Sequence, residues 1–403
     1  MILNRFTKPL LIMVMVLGLT VSGTSWASDD QITDPNFDPI VTNPTYIYGQ
    51  GPVVAIDEAH NNFHTKDGRF LKFAELLTND GYQVESNTQT FTGANLERID
   101  ILVIANALHI SNVGYENWNG EIGDAFETAE IKALDTWVKG GGSLMLIADH
   151  YPFPKAAEKL GWNFGFIFSN GYCLAGETED AQHNMITFTT DNNTLSNSSI
   201  VMGRNFSEAV SKVVSFTGQA FWLKYESTAD KLMILPEGTL SLYPTEADGF
   251  TLTTQVLNSS GMLQGAALEL EQGRVAVFGE AEMFSAQIST TDPYFKQGMN
   301  NAEATENLQF TLNILHWLSM DDIDDDGVTD EEDTCSDTPE GESVDANGCA
   351  DCQKDTDGDG VTDDKDQCSY TPAGEVVGSD GCIYVDIDEG DDSCFIQTIN
   401  FKN

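Results

Sequence analysis

Two stretches of this chain repeat each other at a fixed offset of 33 residues. Asp322-x-Asp324-x-Asp326-Gly327-x-x-Asp330-x-x-Asp333-x-Cys335 returns as Asp355-x-Asp357-x-Asp359-Gly360-x-x-Asp363-x-x-Asp366-x-Cys368. The correspondence continues through Thr338-Pro339 and Thr371-Pro372, Gly341 and Gly374, Val344 and Val377, Gly348 and Gly381, and Cys349 and Cys382. A constant period of this kind marks two copies of one structural unit, which a solvated acidic tail would not show. Alternate Asp residues around a Gly turn let several carboxylate oxygens converge, as a hard cation with high coordination requires. The candidate cation ligands are therefore Asp322, Asp324, Asp326, Asp330 and Asp333, and then Asp355, Asp357, Asp359, Asp363 and Asp366.

Charge separates this region from the rest. The chain carries a net charge of −45, and residues 321–403 hold 27 acidic against 3 basic side chains. Nucleic acid and anionic lipid are excluded as partners by repulsion, whereas a cation is a natural one. Six of the seven cysteines fall between Cys335 and Cys394, a disulfide framework in an exported chain, and Cys173 stands apart. Export is expected from the first 27 residues: Arg5 and Lys8, an apolar core from Leu10 to Val21, and Ser25-Trp26-Ala27 as a small-x-small cleavage site. No later stretch reaches the ~20 apolar residues of a membrane span. The mature chain is expected in the periplasm, on the outer surface or outside the cell, with residues 28–49 as a polar linker.

Residues 50–320 alternate strand and helix signals. Val53–Ile56, Asp100–Ala105 and Ser143–Ala148 are short apolar runs of the kind buried on both faces of a sheet. Between them, Phe70, Phe73, Leu76 and Leu77 recur at helical spacing before Gly81, and Ile131, Leu134, Trp137 and Val138 do so before Gly140-Gly141-Gly142. Thr128 is the expected cap of the second helix. Ala266–Leu270 and Arg274–Glu280 suggest a β-hairpin turning at Gln272-Gly273, and Asn307–Leu318 a closing helix. Three βα units predict an α/β fold with a doubly wound, mostly parallel sheet.

Each apolar run ends on polar groups, where open α/β sheets place their ligand crevice. Collected, these groups are Asp57, Glu58, His60 and His64; Asn106; Asp149 and His150; and Glu280 and Glu282. Histidine with carboxylate suits Zn²⁺ or another transition metal, or an acid–base pair. Asp57, His60, His64 and His150 are the candidate transition-metal ligands; His60, Asp149, His150 and Glu280 are the candidate catalytic groups. Strand-end polar residues also cap turns and satisfy loop backbone, so a purely structural role competes with both.

Two resemblances follow. Residues 321–385, with the Asp ladder, the cysteines and the Thr-Pro-x-Gly-x-x-Val step, resemble thrombospondin type 3 repeats of bacterial surface proteins. The resemblance implies calcium on the ladders and disulfides pairing Cys335 with Cys349 and Cys368 with Cys382, each loop contributing ~3 kcal/mol. An EF-hand is a poorer match, because Asp stands at the twelfth position and Cys and Pro follow where a helix should leave. Residues 386–403 form an acidic tail. The larger region resembles the glutamine-amidotransferase-like, flavodoxin-like domains of exported bacterial proteins, through Asp57–Thr65, Gly140–His150 and Gly273–Glu280. Those enzymes carry a Cys on the elbow where this chain has Asp149-His150, so the resemblance implies the fold without the glutaminase chemistry.

Two functions compete. In the first, the α/β domain of an exported calcium-binding surface protein binds a small ligand, a glycan or a cell-envelope component, and the repeats act as spacer or adhesion module. In the second, the domain is a metal-dependent hydrolase using the His, Asp and Glu cluster at the sheet edge. The first is the better supported by sequence, because the repeat points to calcium while no substrate is indicated.

Overall fold

A computed structural model describes residues 31–176, 184–244, 254–290 and 295–319, then Val328 and residues 333–335, 338–339, 342–372 and 375–383. The expected signal peptide, Asp322, Asp324, Asp326 and Asp330 of the first ladder, Cys394 and the acidic tail lie outside these residues. The chain forms two compact units, Met1–Ser319 and Met320–Asn403.

The first unit is built on a nine-stranded sheet. In chain order its strands are β1 (Val53–Asp57), β2 (Gln83–Asn87), β3 (Ile101–Ala105), β4 (Ser143–Ile147), β5 (Phe166–Phe168), β6 (Phe221–Leu223), β7 (Asp230–Ile234), β8 (Leu263–Leu270) and β9 (Gly273–Phe278). They lie in the order β2-β1-β3-β4-β9-β8-β6-β5, with β7 also paired to β8. The first five of that order are parallel. From β9 onward the pairs are antiparallel. The parallel half thus has the 2-1-3-4-5 order of flavodoxin-like sheets, with its switch point between β1 and β3.

The apolar runs are continuous because both sheet faces are covered. Val54, Ile56, Val103, Ala105, Met145 and Ile147 join one core with Phe70, Phe73, Leu76 and Leu77 of helix α1 (Leu71–Asn79) and its preceding residue. Ala55, Leu102, Ile104, Leu144 and Leu146 point the opposite way, against Ile131, Leu134 and Val138 of α2 (Thr128–Lys139). Helix α3 (Asn307–Ser319) returns to the first face with Phe310, Ile314, Leu315 and Leu318. Each such fully buried side chain contributes about 1.5–3 kcal/mol.

Three local expectations need correction. The cap of α2 is Glu127, whose reciprocal partner is Glu130, because a carboxylate reaches the free N–H groups of the first turn as well as a hydroxyl does. The β8–β9 turn lies at Glu271-Gln272, with Glu271 at φ 57°, and Gly273 already belongs to β9. A Cβ there would sit 2.0 Å from the Val138 carbonyl and 2.3 Å from that of Gly142. The segment expected as a linker is docked from Gln31 onward. Gln31–Thr33 pairs antiparallel with Ala286–Ser289. The Thr45 N–H donates to the Asp80 carboxylate (2.8 Å), which also receives His316 Nε2 at 2.7 Å. The arm is held by these hydrogen bonds and by Phe37, Val41 and Tyr46, which pack against the first core.

The loop from Ala107 to Phe126 is ordered by Asn112. Its amide donates to the Asn117 and Glu121 carbonyls, and its own carbonyl accepts from Trp118 Nε1 (3.0 Å). Trp118 then packs with Leu108, Tyr151, Phe153 and Tyr172 in a third apolar cluster.

In the second unit, disulfides join Cys335 to Cys349 and Cys368 to Cys382, with Cα–Cα distances of 5.1 and 5.2 Å. The two copies repeat in detail. Thr338 Oγ1 donates to the Gly348 carbonyl at 2.8 Å and Thr371 Oγ1 to that of Gly381 at 2.7 Å. Isolated bridges pair Val344 with Ala350 and Val377 with Ile383. The Thr-Pro step of the sequence repeat is a staple across each disulfide loop.

Candidate functional site

The strand-end residues separate into two clusters. At the end of β1, the buried Asp57 carboxylate accepts from three side chains: His60 Nδ1 (2.8 Å), Asn87 Nδ2 from the end of β2 (2.8 Å), and Asn62 Nδ2. His60 turns its other nitrogen to Glu130 Oε1 on α2, 3.0 Å away. Glu130 Oε1 also accepts the Phe91 N–H (3.1 Å), and Oε2 the Glu127 N–H (2.9 Å). The imidazole packs against the rings of Phe91 and Phe126, at 4.4 and 4.8 Å.

Burial by itself would lower the His60 pKa, but the hydrogen bond and charge of Asp57, followed by those of Glu130, outweigh it and raise the value. Burial pushes Glu130 the other way, and the Glu127 N–H and His60 more than reverse it, so its carboxyl is held low. An imidazolium clamped between two carboxylates satisfies both observations. Glu130 was not among the residues expected from sequence. The signal was the spacing Glu127-x-x-Glu130 at a helix start, which the assignment of Thr128 as cap concealed.

Above this relay lies a cleft of about 470 Å³. Ala59, His60 and Asn61 line it from the loop after β1, Leu108, His109 and Ile110 from the chain after β3, and Phe126, Glu127, Thr128 and Glu130 from the start of α2. This is the switch point of the parallel half. Lys159 at the rim is paired with Asp124 (2.5 Å).

The second cluster sits where β4 and β9 end. Asp149, Glu280 and Glu282 are buried, and each offers an oxygen within 4.8 Å of the others. Backbone fixes two of them: Asp149 accepts from His150 N–H (2.6 Å) and Ala281 N–H (3.2 Å). Glu280 accepts from Glu282 N–H (2.7 Å) and Met283 N–H (2.9 Å). Glu282 also shares hydrogen bonds with both Asp149 and Glu280. Burial raises all three carboxyls. The charge of Glu282 pushes Glu280 well above the usual range, and that of Asp149 acts likewise on Glu282.

The expected transition-metal quartet of Asp57, His60, His64 and His150 is not brought together, which corrects the sequence reading. Among the described residues, Asp149–Glu280–Glu282 and Asp355–Asp357–Asp359 are the groups with metal-ligating spacing. In the sheet, β3 lies between β1 and β4, which puts their ends about 9–10 Å apart at the usual strand spacing. Both His60 nitrogens are held by carboxylates. His64 belongs to the second neighbourhood: its Nδ1 meets Asn106 Nδ2 at 3.2 Å, and burial lowers its pKa to about 3. His150 holds the Tyr151 carbonyl through Nδ1 (2.8 Å) and stacks on Tyr172 at 4.4 Å. Glu58 accepts the Lys66 N–H (3.0 Å) and the Ser86 hydroxyl (2.9 Å). The Cys173 thiol is pushed up to about 12 by burial, and it lies on a short strand, Tyr172–Ala175.

In the second unit, Asp355 accepts the N–H groups of Gly358 (2.9 Å), Asp359 (3.2 Å) and Gly360 (2.8 Å). Gly358 and Gly360 adopt φ of 75° and 90°, which closes the turn. Asp363 is taken up by Thr356 and Asp366 by the Cys368 N–H. Asp357 Oδ1 and Asp359 Oδ2 are buried and have no partner, so the donor set fits an oxygen-seeking cation.

No protein-family model matches the sequence, and no curated protein does. Solved structures of similar shape include the N-terminal domain of mmIFT52, at 12% identity over 67% of this chain and 99% of that one, with a TM-score of 0.45. A ThuA-like protein from Bacteroides uniformis matches at 12% identity over 69% and 96% of the two chains, TM-score 0.35. A cytoplasmic protein from Salmonella typhimurium LT2 matches at 13% over 66% and 98%, TM-score 0.35. ThuA-like proteins have a glutamine-amidotransferase-like fold. These likenesses concern fold alone, and the flavodoxin-like strand order stands without them.

Proposed function

We propose that the chain is an exported calcium-binding protein whose α/β unit holds a small, uncharged, hydroxyl-rich ligand, such as a glycan unit, in the switch-point cleft. One observation carries the reading: the cleft is lined by the loops after β1 and β3 and by the first turn of α2, where flavodoxin-like sheets bind ligands. Binding is favoured over catalysis because His60 at the cleft floor has both nitrogens engaged, which leaves it no lone pair to accept a proton. A neutral ligand is favoured because the cationic groups around the cleft are already matched, Lys159 by Asp124 and His60 by Asp57 and Glu130. Asn61, Thr90 and Thr128 supply uncharged polar groups at the walls.

The resemblance to thrombospondin type 3 repeats assigns calcium to the second unit. There Asp355, Asp357 and Asp359 would hold the ion, with the unpartnered oxygens of Asp357 and Asp359 as its main attraction. Two disulfides support an oxidising compartment, in keeping with the N-terminal export signal read from sequence.

The test is calorimetry of the full chain against a panel of neutral oligosaccharides, with inorganic phosphate as the anionic control. Saturable binding to a neutral sugar, weakened about 5- to 150-fold by Thr128→Val and Asn61→Ala together, is expected, since each lost polar contact costs about 0.5–1.5 kcal/mol. Phosphate binding without sugar binding would overturn the reading.

A further inference from the structure

The carboxylates of Asp149, Glu280 and Glu282 lie away from the groups assigned to the switch-point cleft, and their geometry is that of a ligand set. Asp149 follows β4, and Glu280 and Glu282 follow the neighbouring β9, so adjacent parallel strands deliver them to one point of the carboxyl edge. Their closest oxygens lie within 4.8 Å of one another. Oxygens on opposite sides of a cation with ~2.1–2.5 Å bonds are separated by about 4–5 Å, so one ion can be reached by all three. Backbone N–H donors already orient Asp149 and Glu280.

A second observation comes from His64, which is fully buried, with an Nε2 that meets no partner. Asn106 links it to the cluster. Asn106 Oδ1 accepts the Asp149 N–H at 2.9 Å, which turns its Nδ2 toward His64 Nδ1 at 3.2 Å. His64 Nδ1 is therefore an acceptor, and in the neutral ring the proton stands on Nε2. Glu282 is the carboxylate that acts on this imidazole, and His64 acts on Glu282 in return. A buried N–H without an acceptor, beside three carboxylates that hydrogen-bond to each other, suits a site completed by an ion and an oxygen ligand such as water. The N–H would bond to that oxygen and leave the ion to the carboxylates.

We propose that Asp149, Glu280 and Glu282 form a site for a hard divalent cation of the Mg²⁺ or Mn²⁺ class, with His64 as a positioning residue that donates through Nε2 to an oxygen ligand of the ion. Carboxylate and water oxygens suit ions of this class, whereas Zn²⁺ and Cu²⁺ sites are usually built with imidazole or thiolate. This site is separate from the acidic ladder of the second unit and from the proposed glycan cleft, and it stands if either of those readings falls.

The probe is Mn²⁺ with the full chain. Anomalous diffraction from crystals soaked in millimolar Mn²⁺ at pH 8 is expected to place an ion between the three carboxylates, whatever the ladder binds. In solution, Mn²⁺ titration followed by electron paramagnetic resonance is expected to lose one class of sites in Glu282→Gln. His64→Phe should retain that class with affinity reduced about 10–100-fold, the usual effect of removing a group that orients a ligand. Far-ultraviolet spectra of Glu282→Gln and His64→Phe that match wild type show that these changes remove ligands and not the fold. Carboxylates bonded only to one another in soaked crystals, or identical Mn²⁺ binding in wild type and Glu282→Gln, would overturn the assignment.

Discussion

Removing the His60 ring should be among the most damaging single changes in the first unit. His60→Ala withdraws the donor shared by Asp57 Oδ2 and Glu130 Oε1, leaving two carboxylates that are at most 9% exposed without their counter-charge. Breaking a buried ion pair from one side costs about 3–5 kcal/mol, and the lost contacts with Phe91 and Phe126 add to it. The remaining donors, Asn62 and Asn87 for Asp57 and two backbone N–H groups for Glu130, keep both carboxylates hydrogen-bonded, which argues for the lower half of that range. At roughly 2–3 °C per kcal/mol for a unit of this size, the melting point should fall by about 6–12 °C. His60→Gln retains one donor and should fall by less.

The pH dependence fixes the cause. Folding raises the His60 pKa, so its contribution is complete below the unfolded value of about 6.5 and is lost as pH rises through the folded value. Folding lowers that of Glu130, whose contribution is present above its unfolded value and is lost as pH falls through the folded one. The stability gap between wild type and His60→Gln, measured by urea unfolding, should therefore be widest near pH 5–6.5 and narrow toward both pH 9 and pH 3. A gap that is flat across this range, or a His60→Ala shift below about 2 °C, would refute the clamped imidazolium.

Other outcomes follow from single contacts. Calcium should raise the melting point of the second unit in scanning calorimetry of the full chain, and Asp357→Asn should reduce the effect, since its Oδ1 is one of the unpartnered ladder oxygens. Replacing Cys368 and Cys382 by Ser should destabilise that unit by about 3 kcal/mol, the value for closing a loop of about 15 residues, as read from its denaturation midpoint. Gly273→Ala should cost about 1–3 kcal/mol, because its Cβ would meet the Val138 and Gly142 carbonyls. Cys173 should resist iodoacetamide in native protein at pH 8 and react once urea is added, because its thiol is buried and its pKa is near 12.

What could be read from sequence divides along physical lines. The parallel strands were legible because both faces are buried, so Val53–Ile56, Ile101–Ala105 and Leu144–Ala148 had to be apolar throughout. The disulfide pairs were implied by the resemblance to thrombospondin type 3 repeats, and the structure forms both of them. The strand-end residues could also be collected, since their place at the sheet edge is set by topology. Which of them meet could not be read, because that depends on strand order and on side-chain direction across the edge. His60 and His64 are four residues apart, yet one bonds Glu130 on α2 and the other Asn106 after β3. The antiparallel extension was fainter. Its strands β5 and β6 are three residues each, too short for period to identify.

The two clusters at this one edge show two ways of keeping carboxylates under a folded chain. Burial opposes charge on both sets. The Asp57–Glu130 pair meets that cost with a cation, His60, placed between them, and with two amides. The Asp149–Glu280–Glu282 set has backbone donors and each other, and its carboxyls are driven upward in consequence. A purely structural trio could have been made of amides at no such cost, as Asn62 and Asn87 do around Asp57. Three acids retained at one buried point, beside a histidine whose Nε2 has no acceptor, are better matched to a bound cation than to any contact within the chain. Substituting Glu282 by Gln separates the cases. If the trio serves only the fold, removing the central acid relieves repulsion and stability in metal-free buffer rises. If it serves an ion, the same change also abolishes the extra stability that Mn²⁺ confers on the wild-type first unit.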